Sequence, residues 1–418
     1  MIGADEAADV LINFDWWQQT GRSERDAKFE ALRRHAGRVF VPLGGSKPGS
    51  SKGFWALVRH DDVLEVSRRP EDFASGEGTQ IFDQPAALRE YRGSIIDMDN
   101  PEHSRMRKIV SRGFTNKNLE SIRDLVESTT YEILDEMPSS GECDFVDNFA
   151  ALLPLRIIST MLGIPRAHEA DILAATNTIL GASDAEYIPD QSAAGIGAAV
   201  TRASEDLIEL LQNLSEERIA EPREDLITML VAAKEGDNLT PQEMAKFFIL
   251  LVGAGNETTR NALTHGVYAL SQHPAQRDIW LADYRTHAST AIEEILRWAS
   301  PVIHMRRTVT HDGVRLGDQE FARGDKVVLW YTSANRDENA FSDPYVFDIT
   351  RNPNPHLAFG APGPHFCLGA HLARMELDVA FEVLFERFPD IHSVGDPTML
   401  RSNFVNGIKH LNVRYTPK

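Results

Sequence analysis

Phe359-Gly360-Ala361-Pro362-Gly363-Pro364-His365-Phe366-Cys367-Leu368-Gly369 is the stretch that decides how this chain is read. Its glycines and prolines make a turn-rich loop, and the apolar spacing of three and four that follows predicts a helix over 368–388. Cys367 therefore falls at a predicted helix N-terminus. Unpaired amides and the helix dipole at that end favour a thiolate, lowering its pKa and making the sulfur a better ligand or nucleophile. A lone Cys ahead of a helix is more often a small buried core residue; here the surrounding loop, which removes bulk near the sulfur, tips the reading towards chemistry. Cys143, between Glu142 and Asp144 with no such loop, keeps the core reading.

Working outward, the best-marked helix runs over 241–272. Thr240 is a good N-cap, Pro241 suits the first helical position and Glu243 completes a capping box, while Pro274 limits continuation. About thirty residues at roughly 1.5 Å each cross a whole domain, so the helix is expected to run through the middle of the fold. Its centre reads Ala254-Gly255-Asn256-Glu257-Thr258-Thr259, a choice that helix propensity does not explain. One reading is close helix packing, with Thr258 bonding back to the Ala254 carbonyl; the other is a polar apparatus at a site.

The remaining chain sets the frame. Length alone would allow two or three domains among 418 residues, but no repeat and no long low-complexity linker divides them, so 1–418 is read as one domain. Further helices are predicted over 124–137, 149–162, 201–219 and 290–298, and strands over 54–59, 326–331 and 410–415, which makes the chain mainly α with small β-sheets. A net charge of -19 argues against sequence-independent binding to nucleic acid. Two cysteines cannot make a disulfide framework and point to a reducing compartment. Residues 1–10 carry Asp5, Glu6 and Asp9 and no apolar run, and the most apolar stretch, 247–255, is far short of the roughly 20 residues that span a bilayer. No signal peptide or membrane anchor is expected, and the location is read as cytoplasmic.

These residues resemble the cytochrome P450 family, bacterial soluble class. Its haem loop, Phe-x-x-Gly-x-Arg/His-x-Cys-x-Gly, is matched by Gly363, His365, Cys367 and Gly369, with Phe359 one residue further from the Cys, as in some actinobacterial lipid-oxidising members. The pattern Ala/Gly-Gly-x-Asp/Glu-Thr is matched by 254–258, and Glu-x-x-Arg by Glu294 and Arg297. His103, Arg107 and Arg307, and the stretches 334–337 and 355–360, follow in family order.

The resemblance implies a P450 fold enclosing haem b (iron protoporphyrin IX) between the central helix and the Cys loop. Cys367 would be the axial ligand, His103, Arg107, Arg307 and His365 the cationic partners of the propionates, and Thr258 with Glu257 the proton-delivering pair. Glu294 and Arg297, as a bare pair a weak surface contact, would join a structural network with Arg351. The implied activity is a monooxygenase inserting one atom of O2 into a C–H bond of an apolar small molecule, with electrons from NAD(P)H through a reductase and a ferredoxin; no Gly-rich dinucleotide loop is present to take them directly.

The implied substrate pocket comprises the loop at about 75–96, a helix pair around 181–199, and Leu250, Ala254, Val302, Ile303 and Val405. Stretches 53–56, 109–115 and 406–410 are similar to members oxidising sterols and methyl-branched lipids. Alternatives stay open: a natural-product hydroxylase acting on a polyketide or carrier-bound amino acid, a peroxygenase, or a non-enzymatic haem sensor or ligand carrier. On the helix from His103, residues 103 and 107 share one face while Arg105, Lys108 and Arg112 share the opposite one, a basic strip fit for an acidic ferredoxin or merely a solvated face.

Overall fold

The computed structural model describes residues 10–35, 37–43, 53–83, 94–114, 116–232 and 239–417, and for 116–121 the backbone alone. Five helices build the site: α1 (Glu102–Val110), α2 (Leu152–Leu162), α3 (Pro241–Gln272), α4 (Tyr284–Ala299) and α5 (Ala370–Arg387). The boundaries predicted for α3 are those observed, because its start is determined locally. The Thr240 hydroxyl accepts the Glu243 N–H at 3.1 Å and the Glu243 carboxylate accepts the Thr240 N–H at 2.8 Å. α3 packs against α2, α4 and α5, and its apolar residues belong to the largest core cluster with Phe149, Leu155, Trp280 and Phe381. Each such side chain contributes about 1.5–3 kcal/mol by leaving water.

Other helices extend beyond the apolar pattern. The helix expected over 201–219 spans Ala193–Ala220, capped by Ser192, whose hydroxyl accepts the Gly195 N–H; the helix over 124–137 spans Asn116–Glu136. The segment 290–298 lies inside α4, which Asp283 caps through the Thr286 N–H. Phe149 belongs to a π-helical turn, Val146–Ala150, that leads into α2.

One mixed sheet lies beside the helices, built from β1 (Arg38–Pro42), β2 (Gly53–Leu57), β3 (Phe73–Ala74), β4 (His304–Val309) and β5 (Lys326–Trp330) in the order β1-β2-β5-β4-β3. The β2–β5 pair is parallel and the others antiparallel. The strand expected over 410–415 is broken: Ile408–His410 pairs with Thr398–Met399, and Asn412–Arg414 with Glu142–Asp144 and His392–Ser393. Among the described residues no helix is long and apolar enough to cross a membrane.

Candidate active site

Cys367 is held by its backbone before anything binds its sulfur. Its N–H donates to the Phe359 carbonyl at 3.0 Å, and the loop is pressed onto the end of helix His60–Ser67, where a Cβ on Gly363 would lie 2.2 Å from the Ser67 carbonyl oxygen. Only glycine allows that approach. The helix begins at Ala370, not at Leu368, with Gly369 as its cap; Cys367 meets the helix end through the Gly369 amide, which hydrogen-bonds the sulfur. The sulfur is open to an interior cavity and enclosed elsewhere. Burial raises its pKa against the pull of the Gly369 amide, Arg107 and Arg374, so the lowered pKa expected from the helix end is overturned in the protein alone: desolvation outweighs the dipole. A metal ion on the sulfur would reverse that, since a coordinating thiol is deprotonated outright.

The cavity gives about 260 Å³ to the centres of water-sized spheres. One buried water needs roughly 10–15 Å³ on that measure, so this is a ligand chamber rather than a packing flaw. Its wall brings together Cys367, His103, Arg107, Arg307, His365, Thr258, Leu250, Ala254 and Val302 from four separate stretches of chain. Phe247, Leu251, Ile95, Ile96 and Met305 add to an apolar lining.

Two observations fit a large cofactor here. The Nε2 of His103 is buried and has no hydrogen-bond partner among the described residues, an orphan that an anionic propionate would satisfy. Arg107, which donates one hydrogen bond to the Phe366 carbonyl at 2.7 Å, and Arg307 stand beside it on the same wall. The His365 ring lies 4.3 Å from that of His103 and its Nε2 is 3.0 Å from Ser75 Oγ; burial, then Arg307, His103 and Arg107, push its pKa down to about 3. The second observation is space: a Cβ on Gly255 would meet nothing nearer than Ile158 at 3.8 Å, and one on Gly369 nothing within 4 Å. Close packing therefore does not account for Gly255.

Thr258 faces the cavity with its hydroxyl donating to the Ala254 carbonyl at 2.7 Å. Glu257 is turned away from the cavity, buried, with Oε1 accepting from Arg260 Nη2 at 2.6 Å and from Asn261 Nδ2 at 2.8 Å. Arg260 in turn donates to Asn177 Oδ1 at 2.9 Å.

Three pocket expectations are corrected. Ile303 is buried in the core formed with Trp17, Phe54 and Trp330 on the other side of the sheet. Val405 is buried and bridges Val302 from behind. The helix pair expected around 181–199 is present, Glu169–Leu180 packed against Ala193–Ala220 across an irregular connection, but none of its described residues lines the cavity, and Asp184 and Glu186 bind Lys409 instead. Of the loop at 75–96, Thr79, Ile95 and Ile96 reach the wall, and 84–93 lie outside the described residues.

Glu376 was not foreseen. It lines the cavity from α5, and burial, opposed by the Thr259 hydroxyl, pushes its pKa up to about 8. The signal was a carboxylate on the helix face otherwise made by Leu372, Ala373, Leu377 and Ala380. Glu294 and Arg297 are fully buried and paired at 2.7 Å, with Arg351 Nε 3.2 Å from Glu294. On α1, His103 is buried and Arg107 half-buried, while Arg105, Lys108 and Arg112 are exposed and Arg105 pairs with Glu243.

The family model for cytochrome P450 matches residues 16–278 and 287–413. The chain is 46% identical over 422 residues to the methyl-branched lipid omega-hydroxylase of Mycobacterium tuberculosis, covering 98% of this chain and 95% of that protein. It is 38% identical over 417 residues to the steroid C26-monooxygenase of Mycolicibacterium smegmatis, with the same coverage of 98% and 95%. A Mycobacterium marinum cytochrome P450 solved in complex with pseudoionone superimposes with a TM-score of 0.90 at 38% identity, over 96% of this chain and 97% of that one. The chain thus belongs to the cytochrome P450 family as a haem-dependent monooxygenase.

Proposed function

We propose that this protein, folded as one domain, hydroxylates the chain end of an apolar substrate of the methyl-branched lipid or sterol kind. The observation that carries this reading is the lining of the cavity around Thr258, where Phe247, Leu250 and Ala254 of the same helix and Val302, Met305, Ile95 and Ile96 offer burial and few polar contacts, so that binding is driven by apolar area. The relatives named above support it.

Haem b, bound through a thiolate, activates O2 because the electron-rich sulfur favours O–O cleavage. The chain's own residues do the rest. Cys367 supplies the sulfur; His103, Arg107, Arg307 and His365 hold the propionates. The Thr258 hydroxyl, once turned from the Ala254 carbonyl, holds a water and passes it a proton. Glu257, once its carboxylate is released by Arg260, takes up a proton from solvent water and passes it to the Thr258 hydroxyl. Electrons come from NAD(P)H by way of a ferredoxin and its reductase in the cytoplasm, the ferredoxin docking near Lys108 and Arg112.

Titration of the purified haem-loaded protein with a methyl-branched fatty acid and with an apolar steroid is expected to shift the haem to high spin, and polar amino acids are not. Response to carrier-linked amino acids alone would overturn the substrate class.

A further inference from the structure

Behind the loop that carries Cys367 stands a cation with a fixed counter-charge. Arg374, on α5, lays its guanidinium over the Phe359 ring, Cζ 4.4 Å from the centroid. Phe359 is the residue displaced by one position from the family pattern, and its carbonyl accepts the Cys367 N–H. Glu293, on α4, grips the guanidinium as a fork: Nε donates to Oε1 at 2.5 Å and Nη2 to Oε2 at 2.8 Å. Such planar, bidentate pairing fixes orientation as well as distance.

His356 closes the group. Its Nδ1 accepts the Ala358 N–H at 3.2 Å and its Nε2 lies 2.8 Å from Glu293 Oε2. A ring nitrogen that accepts an amide proton carries none of its own, so Nε2 is the atom that donates to Glu293. The group thus holds one positive and one negative charge. Burial pushes Glu293 up, but Arg374 and His356 outweigh it and hold the carboxyl down at about 2, so the balance persists across the working pH range. Arg374 also acts on Cys367, favouring the thiolate.

We propose that Glu293, by balancing Arg374 behind the Cys367 loop, is a positioning residue that sets the field at the axial sulfur and so the ease with which the bound haem accepts an electron. This rests on Cys367 being the haem ligand. A net positive charge near the sulfur draws electron density from it and stabilises the reduced state; a net negative charge does the reverse. Removing either member of a balanced pair must therefore move the reduction equilibrium in opposite directions.

The test is a dithionite titration of the midpoint potential in the haem-loaded parent, Glu293→Gln, Arg374→Gln, Arg374→Lys and the double variant Glu293→Gln with Arg374→Gln. Glu293→Gln is expected to raise the potential and Arg374→Gln to lower it, each by several-fold in the reduction equilibrium, where tenfold corresponds to about 59 mV for one electron. The double variant returns towards the parent, as a coupled pair requires, and Arg374→Lys restores most of the value. Both side chains are partly exposed, 26% and 32%, so added salt should shrink both shifts. Shifts of the same sign, or none, overturn the proposal. Should Arg374→Gln fail to take up haem, Glu293→Gln decides alone, and anything but a rise overturns it. The reduced carbon-monoxide spectrum separates the two claims: a parent without the thiolate band removes the ligand assignment and the proposal with it, whereas a parent with the band and unmoved potentials removes the proposal alone.

Discussion

The two walls of the haem pocket are built on different terms. On the Cys367 side, position is determined several times over: Gly363 abuts a backbone carbonyl, Glu293 grips Arg374, and Glu294 accepts from Arg297, Arg351, Asn354 and the Asp348 amide. On the central-helix side, Gly255 has room around it. Asn256 is buried with neither amide atom hydrogen-bonded among the described residues, and the Thr258 hydroxyl bonds only back into its own helix. If Cys367 holds the haem iron as proposed, the wall that holds the metal is in place before the metal arrives, and the opposite wall keeps space and loosely committed polar groups for O2, water and substrate.

The sharpest way to break this contrast is at the sulfur. Cys367→Ser is expected to abolish the red-shifted Soret band of the reduced carbon-monoxide complex, and Cys143→Ser to leave it intact. Cys143 lies half-buried in the strand Glu142–Asp144, its thiol pushed up to about 11 by burial. Loss of the band in the Cys143 variant would reverse the assignment.

Next comes the frame. Arg297 and Glu294 are both fully buried, and removing one partner of such a pair leaves an uncompensated charge. Arg297→Ala should therefore cost about 3–5 kcal/mol in denaturant unfolding. A loss under about 1 kcal/mol, the value of a surface pair, would show that this wall is not over-determined.

The opposite wall predicts a change of chemistry without a change of fold. Thr258→Ala should keep haem and substrate binding while the product formed per NADH falls several-fold and peroxide rises. Unchanged coupling would remove Thr258 from proton delivery.

The same contrast explains what could be read in advance. The Cys loop was legible because metal chemistry forces residue types at fixed spacing, and α3 because its caps, Thr240 with Glu243 and Pro274, are local. No strand was expected over 302–307, so Val302 and Ile303 were placed together although neighbours on extended chain point to opposite faces; which of the two meets the cavity depends on pairing with β5, and Ile303 was misplaced. The turn of Glu257 away from the cavity had a readable cause, since Arg260 and Asn261 stand three and four residues on and such neighbours pair on a helix. Glu376 stands beside Asp378 on a helix that also carries Glu382 and Glu386, and although it shares the apolar face of Leu372 and Ala380, nothing in spacing says that this face meets a cavity.

A smaller effect distinguishes a functional orphan from a structural one. His304, like His103, is buried, and neither of its ring nitrogens has a partner among the described residues, but it sits between Trp330 and Phe404 rather than at the cavity. Burial pushes its pKa down to about 3, so the folded chain keeps the ring neutral while the unfolded chain takes up a proton below about pH 6.5. The unfolded state then binds more protons, and this contribution to stability, whole above about pH 6.5, is lost as pH falls towards 3. His304→Phe should flatten that acid limb and, by removing an unsatisfied ring, gain about 1 kcal/mol at neutral pH. An unchanged acid limb in urea unfolding would assign the acid sensitivity elsewhere.

The smallest expected effect lies on the outer face of α1. His103 and Arg107 turn inward, and Lys108 and Arg112 are exposed on a chain whose net charge is -19. A basic strip on an acidic protein is a local reversal of sign, and an acidic ferredoxin approaching it would be steered there and repelled elsewhere. Steering acts on the encounter rate and is screened beyond about 10 Å at 0.1 M salt. Lys108→Glu with Arg112→Glu should therefore slow electron transfer several-fold at low salt, converge on the parent as salt rises, and leave the carbon-monoxide band and the substrate-induced spin shift unmoved. Stopped-flow reduction at several ferredoxin concentrations decides it: equal rates at low salt would place the docking surface elsewhere, and a lost spin shift would mean that the outer face of α1 is tied to the pocket after all.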